Sequence, residues 1–157
     1  MDKLNEFIIS DVIELDSELE KCNKFNTSKY NNIKELHKAK VIKCYDGDTI
    51  HAIFKCNQTY SIYVIRLFGI DSWEIEPSKN SKNREEEIKK AKLAKQRLES
   101  LILDKIVYIS CHGTEKYGRI LGTIKINLED EKTINTIMLE EGHAYVYFGD
   151  KKKEFVN

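Results

Sequence analysis

The sequence predicts a small, mainly β domain in which five short strands close into a barrel capped by helices. Three observations carry that expectation. From residue 40 onward, short β-rich runs are broken by two-residue turn signals. One long amphipathic helix is inserted after the third run, and two further strand-like runs precede a second, shorter helix. A length of 157 residues suits one domain with an appendage. Charged residues at 33% and apolar classes at 41% give a globular balance, too polar for a membrane protein and too apolar for full disorder.

In chain order, Leu4, Phe7, Ile8, Val12, Leu15 and Leu19 recur at spacings of three and four, which draws one stripe along a helix. Residues 21–32, rich in Asn, Lys, Ser and Thr, read as a linker. Residues 1–38 are therefore expected to form an amino-terminal extension, helix plus linker, and residues 39–157 the barrel domain. Runs at 40–45, 49–56 and 59–68 form a three-stranded meander, punctuated by Asp46-Gly47 and by Asn57-Gln58. The third run leads into RLFGIDSWE, residues 66–74. Strand alternation puts Arg66 on the side of Ile62 and Val64, an expensive place for a guanidinium unless anions meet it. Asp71 and Glu74, or a bound phosphate, are the candidate anions.

Residues 76–83 (EPSKNSKN) hold the single proline and read as an exposed loop. The clearest helix is 84–103, with Ile88, Ala91, Ala94 or Lys95, Leu98 and Leu101 or Ile102 on one face. Runs 105–111 and 120–126 then pair across the turn HGTEKYGR, residues 112–119. A helix at 133–141 turns Ile134, Ile137 and Met138 inward and ends at Gly142. Five strands with a helix after the third describe a Greek-key barrel of the OB type, capped by two or three α-helices.

A net charge of zero, 26 cations against 26 anions, argues against a purely electrostatic nucleic-acid binder but permits a local cationic cleft. No apolar run approaches the roughly 20 residues of a membrane helix, so no membrane partner is expected. The start MDKLNEFIIS lacks the regions of a secretion signal, which points to an intracellular protein, expected to be monomeric. Cys22, Cys44, Cys56 and Cys111 are scattered and read as free, mostly buried thiols. His37, His51, His112 and His143 fit no ligand spacing and read as exposed or structurally bonded. Tyr45, Tyr60, Tyr63 and Tyr108 read as packing residues on strands; Trp73, beside Glu74, reads first as packing, with a site-edge contact to a base as the alternative.

Three pieces are unusually polar for their settings: YDGDT (45–49), RLFGIDSWE (66–74) and EKYGR (115–119). Alone, DGDT is a hairpin turn and Arg66 with Asp71 a rim ion pair. Together, in this order around one inserted helix, the DGDT, R-L-x-x-x-D-x-x-E and K-Y-G-R elements resemble the staphylococcal nuclease-like, or thermonuclease, family, from about residue 40 to 146. The resemblance implies a calcium-dependent nuclease that hydrolyses DNA and/or RNA by activated-water attack and leaves 3′-phosphate ends. It assigns Asp48, Asp71 and the backbone carbonyl of Ser72 to Ca²⁺, with Mg²⁺ or another divalent ion as an alternative, and Asp46 to a supporting role through water. Glu74 matches the acid that activates or orients water, and Arg66 and Arg119 match two phosphate-binding arginines. Lys116 and Tyr117 fall where the family contacts a neighbouring phosphate, and Tyr147 or Phe148 near its base-stacking aromatic. Trp73 stands where proline is common, Glu115 where Asp is usual, and no long carboxy-terminal helix follows Gly142. The stripe from Leu4 to Leu19 is expected to take that helix's place as a cover. Two other functions remain open from sequence: a non-catalytic OB-type module for nucleic acid or protein, and an enzyme regulated by its amino-terminal segment.

Overall fold

The computed structural model describes residues 35–56, 58–79 and 83–149. The expected amino-terminal helix and linker, the cover assigned to them, and the basic run at 151–153 lie outside the described residues. Five strands form the closed barrel: β1 (Leu36–Cys44), β2 (Thr49–Cys56), β3 (Thr59–Leu67), β5 (Ile106–Thr114) and β6 (Ile120–Lys125), in the order β1-β2-β3-β6-β5. The meander β1-β2-β3 is antiparallel, β3 runs parallel to β6, and β5 closes on β1. This is the mainly β, OB-type architecture that the pattern of runs predicts.

The barrel fills because inward positions are apolar and β-branched. Val41, Ile50, Ile65, Val107, Ile109 and Ile124 are all fully buried. Gly122 belongs to the same layer, since a Cβ there would stand 2.7 Å from Ile65 Cγ2 and 3.0 Å from Ile109 Cγ2. The long helix α1 (Arg84–Ile102) lays Ala91, Ala94, Leu98 and Ile102 against the core, the face expected from its spacing. Helix α2 (Ile134–Glu140) starts at Thr133, whose side chain accepts the Thr136 N–H at 3.0 Å. It ends in a left-handed Gly142, φ +73°, with Gly142 N–H donating to Leu139 O and His143 N–H to Met138 O.

Several local expectations change. The turn at 112–119 shortens, because β5 continues through Thr114 and only Glu115–Arg119 makes the reversal, closed by the Glu115 N–H to Arg119 O at 2.9 Å. Two three-residue strands, β4 (Ile70–Ser72) and β7 (Ala144–Val146), pair antiparallel as a separate sheet, so the aromatic run ties back to the acidic corner. Ile62 is 60% exposed, not buried alongside Arg66. Its face is the barrel exterior, which is covered only at the Arg66 end. Tyr45 lies past the end of β1 and is 57% exposed, and Tyr60 is 72% exposed, so neither packs. Pro77 is buried within the loop read as exposed, and His37 is buried, stacked on Phe54 at 4.3 Å.

Asn135 carries a packing role that a polar helix residue does not advertise. Its Oδ1 accepts the Ile124 N–H at 3.1 Å, and its Nδ2 donates to Phe68 O at 2.9 Å and Gly122 O at 3.1 Å. One buried amide thus satisfies backbone groups at the carboxy-terminal end of β3 and along β6, at the parallel seam that closes the barrel.

Candidate active site

The loop between β1 and β2, the corner after β3 and the turn between β5 and β6 converge at one end of the barrel. Asp48 is held there by its backbone. Its N–H donates to Asp46 Oδ1 at 3.0 Å, and its carbonyl accepts the Leu67 N–H at 2.7 Å. Gly47 permits the approach, since a Cβ would lie 2.7 Å from Ala94 Cβ and 2.8 Å from Ser72 Cβ. A glycine is needed because the loop sits directly on α1 and β4.

Arg66 joins the two expected metal carboxylates. Its Nη1 donates to Asp48 Oδ1 at 2.6 Å and its Nη2 to Asp71 Oδ1 at 2.7 Å, with Ile70 O at 3.3 Å from Nη2. All three side chains are at least nine-tenths buried. Asp48 also accepts from Thr49 Oγ1 at 2.8 Å and from the Ser72 N–H at 2.7 Å, and Asp71 accepts from Tyr145 OH at 2.7 Å. Burial alone would raise the Asp48 carboxyl, but the Arg66 guanidinium and the bonds from Ser72 and Thr49 outweigh it and hold it below the usual range. Burial would likewise lower Arg66, yet Asp48 and Asp71 hold it above its ordinary value. Asp46 moves the other way, pushed up to about 6 by burial and by the neighbouring Asp48 charge.

Arg119 faces the same cleft with its fork engaged by Glu115, Nε to Oε1 at 2.9 Å and Nη2 to Oε2 at 3.3 Å. That hydrogen bonding raises Arg119 and lowers Glu115 from their ordinary values. Both expected phosphate forks are therefore closed onto carboxylates, Arg66 deep and Arg119 half-buried. Phosphate would exchange with Glu115 at Arg119 rather than enter an open fork.

The cleft has a volume of about 460 Å³. Five carboxylates line it, Asp46, Asp48, Asp71, Glu74 and Glu115, against the cations Arg66, Lys116 and Arg119, so two formal negative charges are in excess. Glu74 is exposed at its edge, and Tyr117, 73% exposed, carries Lys116 Nζ at 4.8 Å from its ring centroid. Tyr147 places its ring 5.7 Å from the Arg66 guanidinium and lines both this cleft and an adjoining one of about 370 Å³, which also holds Phe68, Leu121 and Phe148. Thus Arg66, Glu74, Arg119, Asp48, Asp71, Ser72, Lys116, Tyr117 and Tyr147 all line one cleft.

A family model described as staphylococcal nuclease homologue matches residues 64–156. The chain belongs to the staphylococcal nuclease homologue family. Among curated relatives, Protein ParB of Escherichia coli is 27% identical over 116 residues, covering 70% of this chain and 57% of that protein. The chain thus spans little more than half of that relative's length. The closed five-stranded barrel is that family's fold class. Among the described residues no helix is long and apolar enough to cross a membrane.

One participant carried no usable sequence signal, and two others were read chiefly as packing. Tyr145 sat in an aromatic run, and only the β4–β7 pairing brings its hydroxyl to Asp71. Tyr45 read as a strand residue but lines the cleft. Trp73, read as packing, sits half-buried on the cleft wall with its ring 5.1 Å from that of Tyr145.

Proposed function

We propose that this protein is a metal-dependent nuclease that hydrolyses phosphodiester bonds of DNA and/or RNA in the cleft between the three loops. The observation that carries the reading is charge. A cleft with two excess negative charges, two of its carboxylates bound to one guanidinium, repels a phosphodiester unless a cation joins it.

The donor set fits a hard divalent ion. Asp48, Asp71 and the Ser72 carbonyl offer only oxygen, the chemistry Ca²⁺ takes in flexible geometry, and the family is generally calcium-dependent. Among the described residues no group of three or more His, Cys, Asp or Glu is placed to hold a metal, so two carboxylates, a carbonyl and water would make the set. Bound there, the ion would neutralise phosphate oxygen charge and polarise the phosphorus centre.

The remaining roles belong to the chain. Glu74, at the cleft edge, takes a proton from the attacking water or orients it, within about 3 Å directly or through one water. Arg119 releases Glu115 and presents its fork to the phosphate, opposing the charge that grows as phosphorus becomes five-coordinate. Arg66 holds Asp48 and Asp71 apart and in line, and supplies positive charge beneath the phosphate. Lys116 and Tyr117 flank the adjoining phosphate, and Tyr147 with Phe68 and Phe148 offers a base a stacking wall. Water attacking in line opposite the 5′ oxygen breaks the P–O5′ bond; the 5′ oxygen leaves and takes up a proton, which gives a 3′-phosphate and a 5′-hydroxyl.

End-group analysis of digested single-stranded DNA and RNA tests this, with Ca²⁺, Mg²⁺ or a chelator present. Calcium-dependent products ending in 3′-phosphate are expected. Glu74→Gln and Arg119→Gln should each slow the reaction by about a hundredfold to a thousandfold, roughly 3 to 4 kcal/mol of barrier. Tight binding without any cleavage under every ion condition would leave the non-catalytic module in its place.

A further inference from the structure

None of the 26 acidic residues lies in the five barrel strands, while β1 and β2 alone carry four lysines, Lys38, Lys40, Lys43 and Lys55. The alternation of β1 turns Lys38, Lys40 and, past a bulge, Lys43 to the outside. Cross-strand register then builds one mixed surface. Lys38 stands opposite Tyr108 of β5, with its Nζ 6.0 Å from that ring centroid. Lys40 stands between Ile106 of β5 and Ile53 of β2, which in turn faces Ile62 of β3. Lys55 pairs with Tyr60, again with Nζ 6.0 Å from the ring. A groove of about 610 Å³ runs through this face, and no carboxylate lines it. Glu35 and Asp104 border it in sequence, before β1 and β5.

Apolar residues are unusually open here for a domain with a filled core. Leu36 is 52% exposed, Ile62 60% and Ile106 49%. Basic residues alternating with rings, Tyr60 exposed and Tyr108 half-buried, and no acids form the footprint of a surface that tracks a charged backbone and stacks bases. The stripe is also directional. Lys38 and Lys40 are about 6.6 Å apart, two residues of strand, and Lys43 follows three residues on, past the bulge. The line ends at Lys43, whose Nζ lies 5.6 Å from the ring of Tyr45, a residue of the catalytic cleft.

We propose that the outer face of β5-β1-β2-β3 is a second binding surface for a single-stranded polynucleotide, which guides the strand along β1 into the cleft. The identity of the polymer rests on the nuclease reading, but the surface itself does not require hydrolysis. Lys38, Lys40 and Lys55 neutralise phosphates, and Tyr60 and Tyr108 receive bases. The surface lies outside the residues that line the catalytic cleft.

The test uses the full chain with Ca²⁺ and phosphorothioate-linked ligands that resist cleavage, and measures binding of a single strand of roughly 16 nucleotides, the upper span of an OB fold, against a dinucleotide over a salt series. The triple variant Lys38→Gln, Lys40→Gln, Lys55→Gln should bind the long strand at least about tenfold more weakly, with a salt slope shallower by about 2. Dinucleotide binding should not change, and the corresponding triple Arg variant should keep wild-type affinity. Equal loss on both ligands, or no loss on the long strand, would overturn the proposal. So would a polyglutamate peptide that binds the face as tightly as the oligonucleotide. Absence of cleavage in separate assays would sink the hydrolase reading and leave this result standing.

Discussion

Asp46 and Asp48 are two residues apart and titrate in opposite directions, because one carboxylate meets a guanidinium and the other meets its neighbour's charge. The folded pKa of Asp46, about 6, exceeds its unfolded value. Its share of stability is present at acid pH and is lost as pH rises from about 4 through about 6. Asp48 has the opposite sign, since its depressed folded pKa supports the fold above the usual carboxylate range and is lost as pH falls through the folded value. Asp46→Asn keeps an oxygen for the Asp48 N–H and removes the charge. Denaturant titrations should find the variant gaining stability over wild type above pH 6 and not below pH 4, and a constant difference at all pH would refute the cause given. Arg66→Gln leaves two buried carboxylates apposed, for which a loss of about 3 to 5 kcal/mol is expected by denaturant unfolding. Added Ca²⁺ should recover part of it, as any ligand confined to the folded state does. Sequence alone showed that Arg66 needed anions but left three candidates. Asp71 was among them, while Asp48, 18 residues earlier, is the partner only folding supplies.

At the scale of elements, the long and strongly patterned pieces were legible and the short ones were not. Helix α1 and strand β2 fall where their periodicity placed them, because an apolar face repeated along the whole element fixes it. Strands β4 and β7 have three residues each, too few for alternation to show, yet their pairing brings Tyr145 to Asp71. The β3–β6 seam is similar, since its closure depends on Asn135, a polar residue with an unremarkable place in a helix. Asn135→Leu would strand the Phe68 carbonyl and the Ile124 N–H, while Gly122 O keeps the Phe68 N–H, and a loss of about 2 to 3 kcal/mol is expected in thermal or denaturant unfolding. Gly47→Ala tests how the first loop is seated. Its Cβ would press on Ala94 and Ser72, and overpacking of about 1 to 3 kcal/mol should accompany a fall in cleavage rate, as Asp46 and Asp48 move with the loop. An unchanged rate would mean that the loop need not sit against α1.

For the whole molecule, a neutral total charge conceals a strong segregation. Five carboxylates line the cleft, and the barrel strands carry none. Composition could not show this, because it averages over the very surfaces that topology separates. The three motifs revealed the cleft because each is short, polar and set against apolar strands. The state of its arginines was hidden, since Asp48 reaches Arg66 only through the fold and Glu115 closes on Arg119 only in the folded turn. The account therefore depends on the Arg119 fork opening to phosphate in a cleft neutralised by a cation. Single-turnover cleavage of a single-stranded oligonucleotide during a Ca²⁺ titration, on wild type and Glu74→Gln, tests it most directly. The account predicts a wild-type rate that saturates with Ca²⁺ and a variant that binds the ion but cleaves about a hundredfold to a thousandfold more slowly. Equal rates in the two proteins, or full activity in chelator, would contradict it.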